Sequence, residues 1–299
     1  MQSRLVYGLA TVLAATALHA SHYSVEAFIL HRPFLPMTMR PSGKESRLRV
    51  VSTDAEETGT VGTTNPRTEG LALMLDDGTR KSHSLAENTA FVSGFFKGLS
   101  TQQAYRNLLT SLYFVYRAME NAFDDDDDVD VRVKALDDPR LRRLAALEED
   151  MGYFYGSDWQ QQITPSPATA AYVSRINALA SDKQKGFLFV GHQYSRYLGD
   201  LFGGQMMGSM ARRSLDLTNT DGTAFYEFDE ISDTTDFITQ WYQTLNRLDL
   251  TNSQKEEIVK EANYVFALNI ALFDELEGSP FQAMWTLMVS SIKMKLGLA

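Results

Sequence analysis

The chain has 299 residues, a formal net charge of −10 and a hydrophobic content of 44 %. That is enough apolar material for a large core, and too acidic a balance for broad nucleic-acid binding. There is no cysteine, which removes disulfides, thiolate metal ligands and a cysteine nucleophile; imidazole is confined to His19, His22, His31, His83 and His192.

The N-terminal 66 residues read as an address. Arg4 precedes an uncharged, Leu- and Ala-rich stretch over 5–24, the pattern of a secretory signal. Small residues permit cleavage after Ala20 or after Ala27. The apolar part is short for a membrane span, with a signal anchor as the alternative. Arg32, Arg40, Lys44, Arg47 and Arg49 then face one acid, Glu45, as in an organelle transit segment. Residues 50–66 are polar without apolar period and read as linker. A signal over 1–27, followed by transit segment and linker over 28–66, resembles the bipartite plastid presequence of algae with complex red plastids, with Phe28 at the junction. That resemblance implies a plastid stroma destination and leaves 67–299 as the mature domain.

Helical apolar spacing follows almost throughout. Leu75, Thr79 and Leu85 share one helical register. The stretch 101–123 repeats the pattern, with Thr101 as its N-cap. Further helical patterns cover 139–151, 167–181, 183–215, 233–248, 252–276 and 281–296. Only "TAFYEF", 223–228, reads as strand-like or as an extended connector. A single all-α, multi-helix domain is expected. The acidic run Asp124–Asp128, with Asp130 beyond it, lacks the ligand spacing and central glycine of a calcium loop and reads as a solvated loop. The apolar stretch near the C-terminus is too short to cross a bilayer, so no transmembrane helix is expected in the mature form.

Two stretches carry chemistry. "GHQYSRYLGDLFGGQMMG" places five glycines in a helical pattern, although each costs roughly 1 kcal/mol against alanine. Gly199 and Gly203 share one face, and Gly204 and Gly208 repeat the spacing one position over. Bare backbone admits either a neighbouring helix or a flat ligand. Arg196 and Asp200, four apart, and Tyr194 nearby favour the ligand. In "RKSHSLAEN", His83 and Glu87 are also four apart, the spacing of a metal-binding histidine oriented through its second ring nitrogen by a carboxylate. A structural histidine is the alternative.

Together these stretches resemble the heme oxygenase family. "KSHSLAENTAFVSGFFKG" is similar to its proximal helix and "YSRYLGDLFGGQMMG" to its distal helix. "NLLTSLYFVYRAME", "LEEDMGYFYGSDW" and "ANYVFALNIALFDELEG" match in order. The resemblance implies a heme sandwich with His83 as axial iron ligand and Glu87 as its orienting partner. It implies that Gly199 and Gly203, with Gly204 beside them, let the distal helix lie over heme. Asp200 then organises distal water and Arg196 joins that network. Tyr116, Phe266, Asn269 and Phe273 line the pocket, and Tyr194 meets a heme propionate. The implied reaction converts heme, dioxygen and electrons into biliverdin, carbon monoxide and ferrous iron. With a plastid address, reduced ferredoxin is the implied donor, and the basic cluster Arg140, Arg142 and Arg143 is its expected docking patch, with Arg80, Lys81 and Lys97 as a second candidate.

Four positions depart from the family pattern. Asp76, Ile238 and Tyr242 stand where basic propionate partners are usual, and Phe202 where a small residue is usual. Arg80 or Lys81 is the expected substitute cation. The alternative function is a catalytically weak heme- or bilin-binding relative, a sensor or carrier.

Overall fold

Side-chain caps and prolines set where the helices begin. In the computed structural model, α1 (Gly70–Glu87) follows a 3-10 turn, Pro66–Thr68, and is followed by α2 (Ala90–Phe96). The break between them falls at Asn88 and Thr89, so the first helical pattern is two helices. Thr101 caps α3 (Gln102–Phe123), its hydroxyl accepting from Ala104 N at 3.1 Å. After the short α4 (Val131–Lys134) come α5 (Leu144–Tyr155) and α6 (Pro167–Ala180). Ser166 caps α6, with Pro167 in its first turn. α7 (Phe189–Gln193) and α8 (Gly199–Leu215) are joined by a wide π turn, Tyr194–Leu198, into one continuous rod. α9 (Thr234–Asn246) starts on the Asp233 cap, and α10 (Asn252–Leu276) on a capping box between Thr251 and Gln254.

The described residues are 65–96, 101–124 and 129–277, with 288, 289, 291 and 294 besides. Nearly all of the presequence assigned to 1–66, and most of the pattern at 281–296, lie outside them. The described residues fall in one unit, Thr60–Ala299. They contain no strand, and none of their helices is long and apolar enough to cross a membrane.

The element predicted over 139–151 is a 3-10 turn, Pro139–Leu141, and then α5. The 223–228 stretch is a 3-10 turn too, Ala224–Tyr226, and not a strand. Asp150 on α5 accepts from Ala224 N and Phe225 N at 2.8 and 2.9 Å, and these two bonds curl the backbone. Asp124 and Asp130, at the ends of the acidic run, pair with Arg142 and Arg132.

α10 is the spine. α1 lies along it, and α7 packs so closely that a Cβ on Gly191 would sit 3.1 Å from Ile258 O and Ala262 N. α3 packs on α5 and α6. The core between them holds Tyr105, Tyr116, Tyr172 and Tyr197 almost wholly buried. Each large apolar side chain there contributes on the order of 2 kcal/mol by burial. The phenolic hydroxyls bring polar atoms into the same interior, and those atoms need partners.

Candidate functional site

α10 brings the two chemical stretches onto one wall. Phe266 meets the His83 ring edge-on, with centroids 5.6 Å apart. One turn along, Asn269 Oδ1 accepts from Arg196 Nη1 at 3.0 Å. A turn further, Phe273 stacks on Phe91 of α2. The helix carrying His83 and the rod carrying Asp200 are therefore both keyed to the same stretch of α10.

On the α1 side, His83 Nδ1 lies 3.5 Å from Glu87 Oε2. The His83 side chain is 35 % exposed, so its ring is open to a ligand. With Nδ1 turned to the carboxylate, Nε2 is the nitrogen free to bind a metal.

The α8 side is a connected hydrogen-bonded network. Arg196 Nη2 donates to Asp200 Oδ2 at 2.8 Å, and the Tyr116 hydroxyl donates to the same oxygen. Oδ1 has no protein partner among the described residues and can accept from water. Burial lifts the Asp200 carboxyl above the usual aspartate range, and the Arg196 charge pulls against it. Burial opposes the Arg196 charge, yet Asp200 and Tyr116 hold the guanidinium more firmly protonated than usual. Burial pushes the Tyr116 phenol well up, so it stays a donor. Arg196 Nε and Tyr172 Oη are buried without protein partners, which marks a polar interior continuing behind Asp200. Arg196 itself sits in the π turn, a local widening that re-aims side chains at functional sites.

The five glycines divide. A Cβ on Gly199 or Gly203 would meet nothing within 4 Å, so their bare face looks onto open space. A Cβ on Gly204 would come 3.1 Å from Tyr226 Cδ1, and one on Gly208 would come 2.9 Å from Tyr226 Cβ. Gly204, expected among ligand-binding positions, instead gives room to the 224–226 turn. Gly191 gives room to α10.

Two further expectations need correction. Arg80 is not a free cation: it is exposed and turned to Asp77 at 2.5 Å, with Asp76 at 3.5 Å. The Arg140, Arg142 and Arg143 cluster is not a free basic patch. Arg140 is held by Asp138 at 2.7 Å, and Arg142 by Asp137 and Asp124 at 2.5 and 2.6 Å. Arg143 is buried, donating to the backbone carbonyls of Arg140, Leu141, Arg142 and Glu227. Lys97 lies outside the described residues. Tyr194 lies within electrostatic reach of Asp76 and Arg67, and burial raises its phenol. Ile238 and Tyr242 are buried.

Some participants were missed. Glu261 of α10 holds His192 Nε2 at 3.1 Å and Arg175 Nε at 2.9 Å, tying α10 to α7 and α6. An acid on the same buried stripe as Ile258 and Val265 was the available signal. Arg67 is the other omission. Its guanidinium lies 5.5 Å from the Tyr242 ring centre, 5.7 Å from that of Phe202 and 3.4 Å from Asp76 Oδ1. Nothing in the local pattern marks it.

The pattern of the heme oxygenase family matches residues 69–275. A heme oxygenase of Pyropia yezoensis is 41 % identical over 223 residues, covering 75 % of this chain and 92 % of that relative. Heme oxygenase 1 of a Nostoc species is 39 % identical over 225 residues, covering 75 % and 93 %. The crystal structure of heme oxygenase-1 from the cyanobacterium Synechocystis, in complex with heme, aligns with a TM-score of 0.65 at 40 % identity, covering 75 % of this chain and all of that one. Heme oxygenase-2 of the same organism, in complex with heme and NO, aligns at 0.67 with 38 % identity, covering 75 % and 93 %. The chain belongs to the heme oxygenase family. It is an all-α, heme-binding enzyme that degrades heme.

Proposed function

We propose that this enzyme cleaves heme to biliverdin, carbon monoxide and ferrous iron with dioxygen and electrons from reduced ferredoxin, in a plastid stroma reached through the 1–66 presequence. The observation that carries the proposal is a pair of surfaces keyed to one stretch of α10: an oriented, open histidine on α1, and on α8 a glycine face clear of neighbours beside a buried carboxylate held by two donors. A flat macrocycle fits the glycine face, because no side chain occupies it. Heme supplies the iron at which dioxygen is reduced and the ring that is cut.

The chain's own residues do the rest. His83 Nε2 binds iron while Glu87 and the Phe266 edge limit ring rotation. Gly199 and Gly203 let backbone approach the ring. Asp200 keeps Oδ1 for water, because Tyr116 and Arg196 both bind Oδ2. The pair holds the carboxylate still, so its hydrogen-bonding direction costs no reorganisation during reaction. Phe266, Asn269 and Phe273 form the apolar wall with one polar gap. The algal and cyanobacterial relatives support a plastid-type enzyme.

The deciding experiment is a hemin titration of the domain from residue 60 onward, followed by reduced ferredoxin under air. A Soret band that His83→Ala abolishes, and bilin absorbance that appears on reduction, are the expected results. Heme binding without bilin would instead establish a sensor or carrier.

A further inference from the structure

Arg67 occupies a constructed position. The Asn65 side chain accepts from Arg67 N at 3.1 Å. Asn246, at the end of α9, donates to Pro66 O at 2.7 Å and accepts from Ala72 N at 2.9 Å. Gly70 between them has φ +58, and a Cβ there would lie 2.6 Å from Asn246 Oδ1, so the turn needs glycine. Two segments far apart in sequence thus pin the backbone of one arginine.

Its guanidinium reaches three elements at once. It lies against Tyr242 of α9 and Phe202 of α8, and touches Asp76 of α1. Those are three of the four positions expected to depart from the family pattern. Its one carboxylate contact is a single bond of 3.4 Å, and Asp76 is shared with Arg80. A guanidinium offers several donors, so most of its capacity is left over. The side chain is half-buried, where a charge–charge hydrogen bond is stronger than in open water. Asp76 lies seven residues before His83 on α1, about 10 Å along the same helix face. Heme carries its two carboxylates on one edge of the ring, away from the iron.

We propose that Arg67 is the anchor for a heme carboxylate, taking the place of the basic residues absent at Asp76, Ile238 and Tyr242, and that Asp76 is its counter-ion before heme binds. The Tyr194 and Tyr242 phenols beside it supply neutral donors, and Phe202 covers the guanidinium face. This rests on the heme cleft proposed above. It locates substrate orientation in the 66–68 turn, ahead of the helix that binds iron.

The test separates the carboxylate from the rest of the ring. Hemin and hemin dimethyl ester are titrated by Soret absorbance into wild type, Arg67→Ala, Arg67→Lys and Asp76→Asn, with a thermal melt of each ligand-free protein as the folding control. For hemin, Arg67→Ala is expected to bind about tenfold or more weakly, as loss of a charge-assisted hydrogen bond would give. For the ester it should match wild type. Arg67→Lys should recover part of the hemin affinity. Asp76→Asn should bind hemin several-fold more tightly and the ester equally. Equal losses for both porphyrins, or no loss in Arg67→Ala, would overturn the assignment. Should Arg67→Ala melt early, the Arg67→Lys and Asp76→Asn differences between hemin and ester decide alone, and their absence overturns it. A wild type without a His83-dependent Soret band would instead remove the heme cleft itself.

Discussion

The two faces of the proposed heme site differ in how tightly their residues are held. On α1, His83 and Glu87 stand 3.5 Å apart, and both side chains are more than a third exposed. At the α8 face, Asp200 is hydrogen-bonded by Arg196 of the π turn and Tyr116 of α3, and the buried Arg196 also by Asn269 of α10. In the proposed heme site, the first face supplies a single bond to iron, which orders its own ligand on binding. The other must hold a proton donor network at a fixed place, and a network assembled only on binding would lose that placement. Preorganisation is therefore concentrated where hydrogen-bond direction decides the outcome.

The sharpest way to break this comparison is at the loose face. His83→Ala should leave the melt unchanged and remove both the histidine-ligated heme spectrum and bilin formation, with partial return on adding imidazole. An unaltered spectrum would show that another residue binds iron. At the built face, Asp200→Ala should still take up heme but lower the biliverdin yield by about a hundredfold, the scale of a lost acid–base group. Product chromatography after reduction is the measurement, and a normal yield would mean the water network hangs elsewhere.

A milder test uses acid. Burial works against the Glu261 charge, but Arg175 and His192 outweigh it and hold the carboxyl at about 2. The folded-state value lies below the unfolded one, so the stabilisation is complete above about pH 4.5 and is lost as pH falls toward 2. Its size is on the order of 3 kcal/mol. Glu261→Gln should flatten that acid limb in denaturation curves taken from pH 6 to pH 3. An unchanged slope would mean the pair does not anchor α7.

The smallest effects separate the glycines. Gly208→Ala crowds Tyr226 and should lower stability by about 1–3 kcal/mol with heme affinity little changed. Gly199→Ala meets no neighbour and should melt at the same temperature or higher, gaining up to about 1 kcal/mol of helix propensity, while hemin binds less well. Identical behaviour of the two variants would erase the distinction between packing and cleft glycines.

Sequence spacing located most of the helices and paired the candidate residues along them, because both are local. Three- and four-residue periods place Thr101, Thr251, His83 with Glu87, and Arg196 with Asp200 wherever the helix goes. What each side chain faces is not local. Gly199 and Gly204 are alike in the sequence, yet one looks onto open space and the other onto a turn that Asp150 curls from a different helix. Arg140, Arg142 and Arg143 spell a basic patch, and the fold cancels it with Asp138, Asp137, Asp124 and burial. Arg67 stands at the end of a linker, and Asn246, nearly two hundred residues away, fixes its turn at the cleft edge. Charge and room belong to pairs of surfaces, and only tertiary packing decides which surfaces meet.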